Sequence, residues 1–351
     1  MKSVAKKASV LVVLLSFGVF FVLMEMIRFA TPTLPQGYPS LHCVGANASF
    51  QCSKKHFALL TQEVGIKPAL SALKAEYAFN PEVVSDCHQL SHTIGNNAVD
   101  YYDGNIAKAF IDGDSFCWSG YYHGVVERAV ARIGEAQFIA HADQMCAAIP
   151  GKDRYSFEYY NCVHGLGHGL MSTTENELFR SLAICDNLTG EWERKSCYGG
   201  VFMENIMVDN RNEKTKFLKK EDLMYPCDAV AITYKEQCYL MQTSYALSKN
   251  GYDFKHAFAL CSAVDEDFRD ICSQSIGRDA SGNSVSDVGR TVEKCSLAED
   301  DNQETNCIVG AVKDFISYFH GGGQALALCL AFPPRFKQGC LSTRESYMKT
   351  L

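Results

Sequence analysis

Basic charge is scarce in this chain of 351 residues. Its 33 lysines and arginines are outnumbered by 40 aspartates and glutamates, which gives a formal net charge of -7. Nucleic acids and anionic membrane surfaces are bound through an excess of positive charge. The charge balance therefore argues against nucleic acid as a main partner and against an electrostatic membrane patch.

Several patterns of known chemistry are also missing. None of the 16 cysteines forms a C-x-x-C pair, which argues against thioredoxin chemistry, covalent c-type haem attachment and most zinc fingers. The sequence has no nucleophile elbow and no sustained alternation of the kind found in strands. Together with repeated helical patterns, this predicts an all-α fold.

The N-terminus carries an export signal. Lys2, Lys6 and Lys7 precede an uncharged run over residues 8–24, and a run of about 17 to 20 apolar residues is just long enough to span a bilayer. No small-residue cleavage site follows directly. We expect an uncleaved signal anchor with its lysines in the cytoplasm, while a cleaved signal peptide stays an alternative. The bulk of the chain would then lie in the periplasm, the extracellular space or the secretory lumen.

Four segments follow from this pattern. Residues 1–30 form a cytoplasmic tip and signal anchor, and residues 31–53 form a proline-rich linker with a small disulfide loop. Residues 54–216 hold histidine-rich helical repeats with a metal site, and residues 217–351 hold regular cysteine-stapled repeats. Helices are predicted from Asn80-Pro81 to about Tyr101, and near 106–112, 116–133, 135–148, 156–172, 176–185 and 191–207.

The cysteines define a repeat. Four of them are spaced 34 residues apart, and each is followed by another 11 or 12 residues later. Two helices joined by a short turn bring facing cysteines within disulfide reach, and in an exported chain we expect adjacent pairs. The predicted disulfides are Cys43–Cys52, Cys87–Cys117, Cys146–Cys162, Cys185–Cys197, Cys227–Cys238, Cys261–Cys272, Cys295–Cys307 and Cys329–Cys340.

Residues 135–345 resemble a known architecture. Units such as Ala257-Phe258-Ala259-Leu260-Cys261 followed by Cys272 resemble the two-helix repeats of tetratricopeptide-type proteins, and among these the disulfide-stapled, secreted Sel-one-like repeat proteins. The resemblance implies a right-handed α-solenoid. Such solenoids are mostly binding scaffolds with varied partners, so it implies no specific function.

Histidines recur in phase with this repeat. Residues four apart share one face of a helix, and three consecutive helices carry the pairs His88/His92, His123/Glu127 and His164/His168. About 0.3 His-x-x-x-His pairs are expected by chance, against two found. We expect the five histidines to converge as ligands of a mononuclear or dinuclear iron, copper or zinc site. Glu127 and Glu204 are the candidate catalytic carboxylates.

Four glycines flank these histidines, and they are Gly120, Gly124, Gly165 and Gly169. Each destabilises its helix by roughly 1 kcal/mol. Their presence therefore indicates that another group packs closely against these helices. A neighbouring helix, a metal cluster or a flat cofactor would each explain them. Nearby tyrosines, Tyr160 among them, are assigned to packing rather than to the site.

The sequence therefore favours a membrane-anchored, extracytoplasmic metal-binding protein. If it is an enzyme, it is a metal-dependent oxidoreductase or hydrolase acting on an unknown small-molecule or protein partner. Two alternatives stay open. The first is a repeat scaffold for a protein or peptide partner, and the second is a non-covalent haem protein with haem between histidine-bearing helices.

Overall fold

The structure is a computed structural model that describes residues 43, 49–114, 116–117, 120–147, 149–209, 215–284, 287–319 and 321–350. Within these ranges all regular structure is helical, which confirms the predicted all-α fold. No helix in the described part of the chain is long and apolar enough to cross a membrane. The predicted signal anchor and most of the linker lie outside the described residues.

In the described ranges the α-helices follow one another along the chain, with two short 3-10 helices at Lys152–Arg154 and Met348–Thr350. Their bounds are α1 (Phe50–Val64), α2 (Ile66–Tyr77), α3 (Pro81–Tyr101), α4 (Ile106–Ile111), α5 (Gly120–Ile133), α6 (Glu135–Met145), α7 (Phe157–Thr173), α8 (Leu178–Cys185), α9 (Glu191–Asp209), α10 (Ile232–Lys249), α11 (Phe254–Ala263), α12 (Glu266–Asn283), α13 (Val288–Cys295), α14 (Asp301–Phe319), α15 (Gly323–Ala331) and α16 (Pro334–Tyr347).

Local sequence explains where the site-bearing helices begin. The Asn80 side chain accepts a hydrogen bond from the backbone N–H of Glu82, and Pro81 occupies the first position of α3. Ser156 caps α7 in the same way by accepting from the N–H of Tyr159. Such caps satisfy donors that have no partner within the helix. The predicted start of α3 is therefore confirmed.

Two predicted boundaries differ from the structure. The helix expected from residue 116 begins at Gly120, because Cys117 has a φ of 58°, which an α-helix does not allow. The first helix among the described residues begins at Phe50, capped by the hydroxyl of Ser49. The predicted linker boundary at residue 53 therefore falls inside α1.

All eight predicted disulfides are present, with Cα–Cα distances between 5.4 and 5.8 Å. From Cys146 onward, each pair joins the end of a shorter segment to the long helix that follows it. The Cys87–Cys117 pair instead joins α3 to the turn before α5. Because disulfides persist in oxidising compartments, this framework indicates an extracytoplasmic environment.

The long helices form a continuous row. Helices α3, α5, α7, α9, α10, α12, α14 and α16 each contact the next, and the shorter helices α6, α8, α11, α13 and α15 pack against members of this row. The row curves strongly, since His88 of α3 and Asp314 of α14 line the same cavity of about 560 Å³. The curved row therefore surrounds a central cavity.

Glycines let pairs of long helices approach closely. A Cβ atom built on Gly167 of α7 would lie 2.2 Å from the carbonyl oxygen of Cys197, and one on Gly200 of α9 would lie 1.9 Å from that of His164. Gly277 and Gly310 meet in the same way between α12 and α14. Only glycine permits such backbone contact, so these crossings fix the spacing of the helices.

Candidate metal centre

Four histidines from three neighbouring helices meet in the interior beside the central cavity. His88 lies on α3, His123 on α5, and His164 and His168 on α7, and each is at most 7% exposed. The ring centroids of His88 and His123 are 5.0 Å apart, those of His123 and His168 are 3.4 Å apart, and those of His164 and His168 are 5.0 Å apart. The rings form one continuous cluster.

Acceptors at the edge of the cluster fix the protonation of two rings. The Nδ1 atom of His88 lies 3.0 Å from the carbonyl oxygen of Cys117, and that of His168 lies 2.7 Å from Oε2 of Glu204. A carbonyl oxygen and a carboxylate can only accept, so both Nδ1 atoms carry the proton. In the neutral rings, Nε2 then offers a lone pair toward the interior.

His123 holds the central position. Its Nδ1 lies 3.3 Å from Nε2 of His88, and since that Nε2 carries a lone pair, the Nδ1–H of His123 donates to it. The Nε2 atom of His123 is buried and has no hydrogen-bond partner. An unpaired buried polar atom costs about 1–3 kcal/mol, so this nitrogen requires an explanation.

The remaining two rings face each other. The Nε2 atoms of His164 and His168 are 3.2 Å apart, and the hydroxyl of Tyr160 lies 3.2 Å from Nδ1 of His164. One nitrogen from each of His123, His164 and His168 lies within 4.8 Å of the other two. These three histidines are therefore the group that could hold an ion.

Burial keeps His123 and His164 uncharged. Desolvation holds the pKa of His123 well below its usual value of 6.5, and the neighbouring histidines, His168 first, lower it further. Desolvation and His168 likewise lower the pKa of His164, while hydrogen bonding to the backbone of Ser196 opposes this shift. Both imidazoles are therefore neutral at neutral pH, as metal ligands must be.

His92 and Glu127 lie at the margin of this cluster. His92 Nε2 is 3.3 Å from Oε2 of Glu127, and their side chains are 21% and 42% exposed. Both line a separate cavity of about 270 Å³, together with Lys54. The ring of His92 is 6.4 Å from those of His88 and His123. The structure thus brings four of the five predicted histidines into the buried group and leaves the fifth beside it.

Glu204 and the four predicted glycines also have defined neighbours. Glu204, with a side chain 12% exposed, contacts Nδ1 of His168.

The four predicted glycines pack against the neighbouring helix. A Cβ atom on Gly120 would lie 2.4 Å from the carbonyl oxygen of His88. Gly124 similarly meets the backbone of α3, whereas Gly165 and Gly169 meet the Val126 side chain. Of the three explanations for the glycines, the geometry favours the neighbouring helix.

Sequence reasoning missed the residues that face the cluster across the cavity. Arg278, Lys313 and Asp314 share a cavity of about 330 Å³ with His164 and Tyr160. No local signal identifies the first three, because they lie more than 100 residues from the histidines. Tyr160 did carry a signal, since it precedes His164 by four residues and so lies on the same face of α7.

No protein-family model, no curated protein and no solved structure matches the chain.

Proposed function

We propose that the chain is an extracytoplasmic, membrane-anchored metalloprotein that holds one transition-metal ion through Nε2 of His123, His164 and His168. The observation that carries this proposal is the buried Nε2 of His123, which has no hydrogen-bond partner. One nitrogen of His123 lies within 4.8 Å of a nitrogen of His164 and of a nitrogen of His168. A bound ion would supply the missing partner.

The distances between nitrogens support this proposal. Zinc binds histidine nitrogen at about 2.0–2.1 Å, so two nitrogens on a tetrahedral ion lie about 3.3–3.4 Å apart. The 3.2 Å between the Nε2 atoms of His164 and His168 is close to this separation. His123 would supply the third nitrogen, and His164 lies at the cavity wall.

The surroundings of the three rings support the same assignment. Ligating histidines usually donate their other N–H to a carboxylate, a carbonyl or water, which fixes the ring. The carboxylate of Glu204 accepts the Nδ1–H of His168, and Nε2 of His88 accepts the Nδ1–H of His123. The Nδ1–H of His88 in turn donates to the carbonyl oxygen of Cys117. Glu204 is therefore proposed as a positioning residue rather than a general base.

Three neutral histidines and no thiolate suit zinc, copper or ferrous iron. Three protein ligands with an open fourth position are typical of catalytic sites, where the ion polarises a substrate or lowers the pKa of a bound water. The protein would hold the ion, keep its ligands neutral and limit access to the side of the central cavity. Hydrolysis and redox chemistry both stay possible outcomes of this ligand set.

The stacked row of helices supports the likeness to tetratricopeptide-type solenoids. We retain the right-handed solenoid and the N-terminal anchor as parts of the proposal. The haem alternative is less well supported, because helices occupy the space beside the flanking glycines. The scaffold alternative gives no reason for an unpartnered Nε2 on His123.

Metal analysis of matched variants tests the proposal. We expect about one equivalent of metal in the wild-type protein and no Soret band, and we expect His123→Ala to lose the metal while its far-UV circular dichroism is retained. His141→Ala is the control, because His141 is exposed and its Nδ1 hydrogen-bonds to the carbonyl of Gln137 in its own helix. A metal-free wild type would favour the scaffold, and a Soret band would favour haem.

A further inference from the structure

The central cavity extends well beyond the histidines. The compartment that includes His164 has a volume of about 330 Å³, and the one that includes His88 has about 560 Å³. Met203, Met241, Arg278 and Asp314 line both compartments, so the two are adjoining parts of one space. A cavity of this size accommodates a small organic molecule.

Most of the wall is apolar. Leu240 and Ile271 line the compartment next to His164, whereas Ile206 and Leu247 line the larger one. Met241 lies between them, and methionine adapts to varied apolar shapes. The body of a ligand in this space would therefore be apolar.

The polar groups of the wall differ in how well they are paired. Arg278 forms an ion pair with Asp279 at 3.0 Å and also donates to the hydroxyl of Ser244. The Thr243 and Ser244 hydroxyls donate to the same Asp279 carboxylate. This network satisfies both charges without a ligand.

Lys313 is paired less completely. Its Nζ donates to the side-chain carbonyl of Gln274 at 3.1 Å, and it makes no ion pair with any residue in the described part of the chain. Glu236 contributes an attractive charge but is itself paired with Lys195 at 3.0 Å. Desolvation lowers the pKa of Lys313. A partly buried ammonium group without a counter-ion favours the binding of an anion.

Tyr318 supplies a second donor in the same compartment. Its side chain lines the wall with Lys313, and its hydroxyl has no hydrogen bond to any residue that the structure describes. One ammonium group and one hydroxyl suit a singly charged oxygen group such as a carboxylate. A phosphate dianion would require more donors.

We propose that this cavity binds a small amphipathic carboxylate, with its acidic group at Lys313 and Tyr318 and its apolar body on Met241 and Leu240. Because His164 lines the same compartment, the ligand lies next to the candidate metal centre. The proposal names a substrate class for that centre and rests on the proposed function only in this respect. The binding site itself does not require a metal.

Calorimetry with a matched pair of probes tests the proposal. The probes are 4-phenylbutyrate and its neutral amide, titrated into the full chain in a non-ionic detergent after removal of metal, with detergent alone as the blank. We expect the acid to bind at least about tenfold more tightly than the amide, since hydrogen bonds between charged groups are stronger than those to a neutral amide. Equal binding of the two probes, or binding of neither, would overturn the proposal.

Variants locate the site. Lys313→Met should abolish the preference for the acid, and Lys313→Gln serves if the first variant does not fold. Lys255→Met is the charge-matched control, because Lys255 is exposed on α11, and it should keep the preference. Met241→Trp should weaken both probes by filling the cavity. A preference that survives in Lys313→Met and Lys313→Gln contradicts the proposal whether or not the chain binds metal.

Discussion

At the scale of single residues, the histidine cluster is ordered by acceptors of different kinds. The carbonyl oxygen of Cys117 accepts the Nδ1–H of His88, and the Glu204 carboxylate accepts that of His168. Nε2 of His88 in turn accepts the Nδ1–H of His123. Each contact directs one Nε2 atom inward. The arrangement explains why the central ring has a buried nitrogen without a partner.

The carboxylate beside His168 can be tested directly. Glu204→Ala should weaken metal binding by about 10- to 100-fold, because it removes the acceptor that orients the ring. Glu127→Ala is the control, since Glu127 contacts His92 at the margin of the cluster. Competition with a chelator of known affinity measures both constants. Equal losses in the two variants would contradict the proposed role of Glu204.

The low pKa values of His123 and His164 predict a pH dependence of stability. In the unfolded chain both rings take up protons near pH 6.5, whereas in the folded chain burial prevents this. The free energy of unfolding of the metal-free protein should therefore fall as the pH drops below 6.5, until the folded pKa values are reached.

Asp314 acts in the opposite direction over part of this range. Burial raises its pKa from 3.8 to about 6, so acidification between these values stabilises the folded chain. Denaturant titrations of the wild type and His123→Asn between pH 5 and 8 separate the two effects. The wild type should lose more stability on acidification than the variant, and parallel curves would contradict the assignment to His123.

At the scale of helices, much was predictable because the signals are local. The Asn80-Pro81 cap predicted the start of α3, the cysteine spacing predicted six of the disulfides, and elimination assigned Cys43–Cys52 and Cys87–Cys117. The start of α5 was not predictable, since no local sequence signal indicates the left-handed backbone of Cys117. The glycines were identified as sites of close approach, but only the packed structure shows what approaches them.

Two glycine substitutions test the close crossings of long helices. Gly200→Ala should lower the free energy of unfolding by about 1–3 kcal/mol, because its Cβ would lie 1.9 Å from the carbonyl oxygen of His164. Gly339→Ala should instead raise it by about 0.5–1 kcal/mol, since Gly339 lies within α16 and, apart from the adjacent backbone of its own helix, no described atom lies within 4 Å of its Cβ position. Thermal denaturation compares the two. Equal effects of the two substitutions would show that the crossing is not close.

At the scale of the whole molecule, the disulfides from Cys227 onward and the histidine cluster lie on different helices of the row. Replacing Cys261 and Cys272 together by serine should cost about 2–3 kcal/mol of stability, because it opens a loop with a sequence separation of 11 residues. Metal content should stay unchanged, since this pair joins α11 to α12. Denaturant unfolding and metal analysis of the same sample check both statements, and loss of metal would show that the halves are coupled.

The site could be predicted from sequence only in part. The period of the repeat placed the histidines on neighbouring helices, because an i, i+4 pair fixes a helix face. The repeat period did not distinguish His92 from the four buried histidines, because the burial of a side chain depends on which neighbouring helices cover it. Lys313 and Tyr318 line one cavity with His164 because the row of helices curves. The local sequence gives no indication of this curvature.

The most direct test of the central claim is a crystal structure of the metal-loaded chain with anomalous data collected at the absorption edge of the bound metal. We predict one anomalous peak about 2.0–2.2 Å from Nε2 of each of His123, His164 and His168, open toward the central cavity. A peak between His92 and Glu127, or a well-ordered histidine cluster without any peak, would contradict the account.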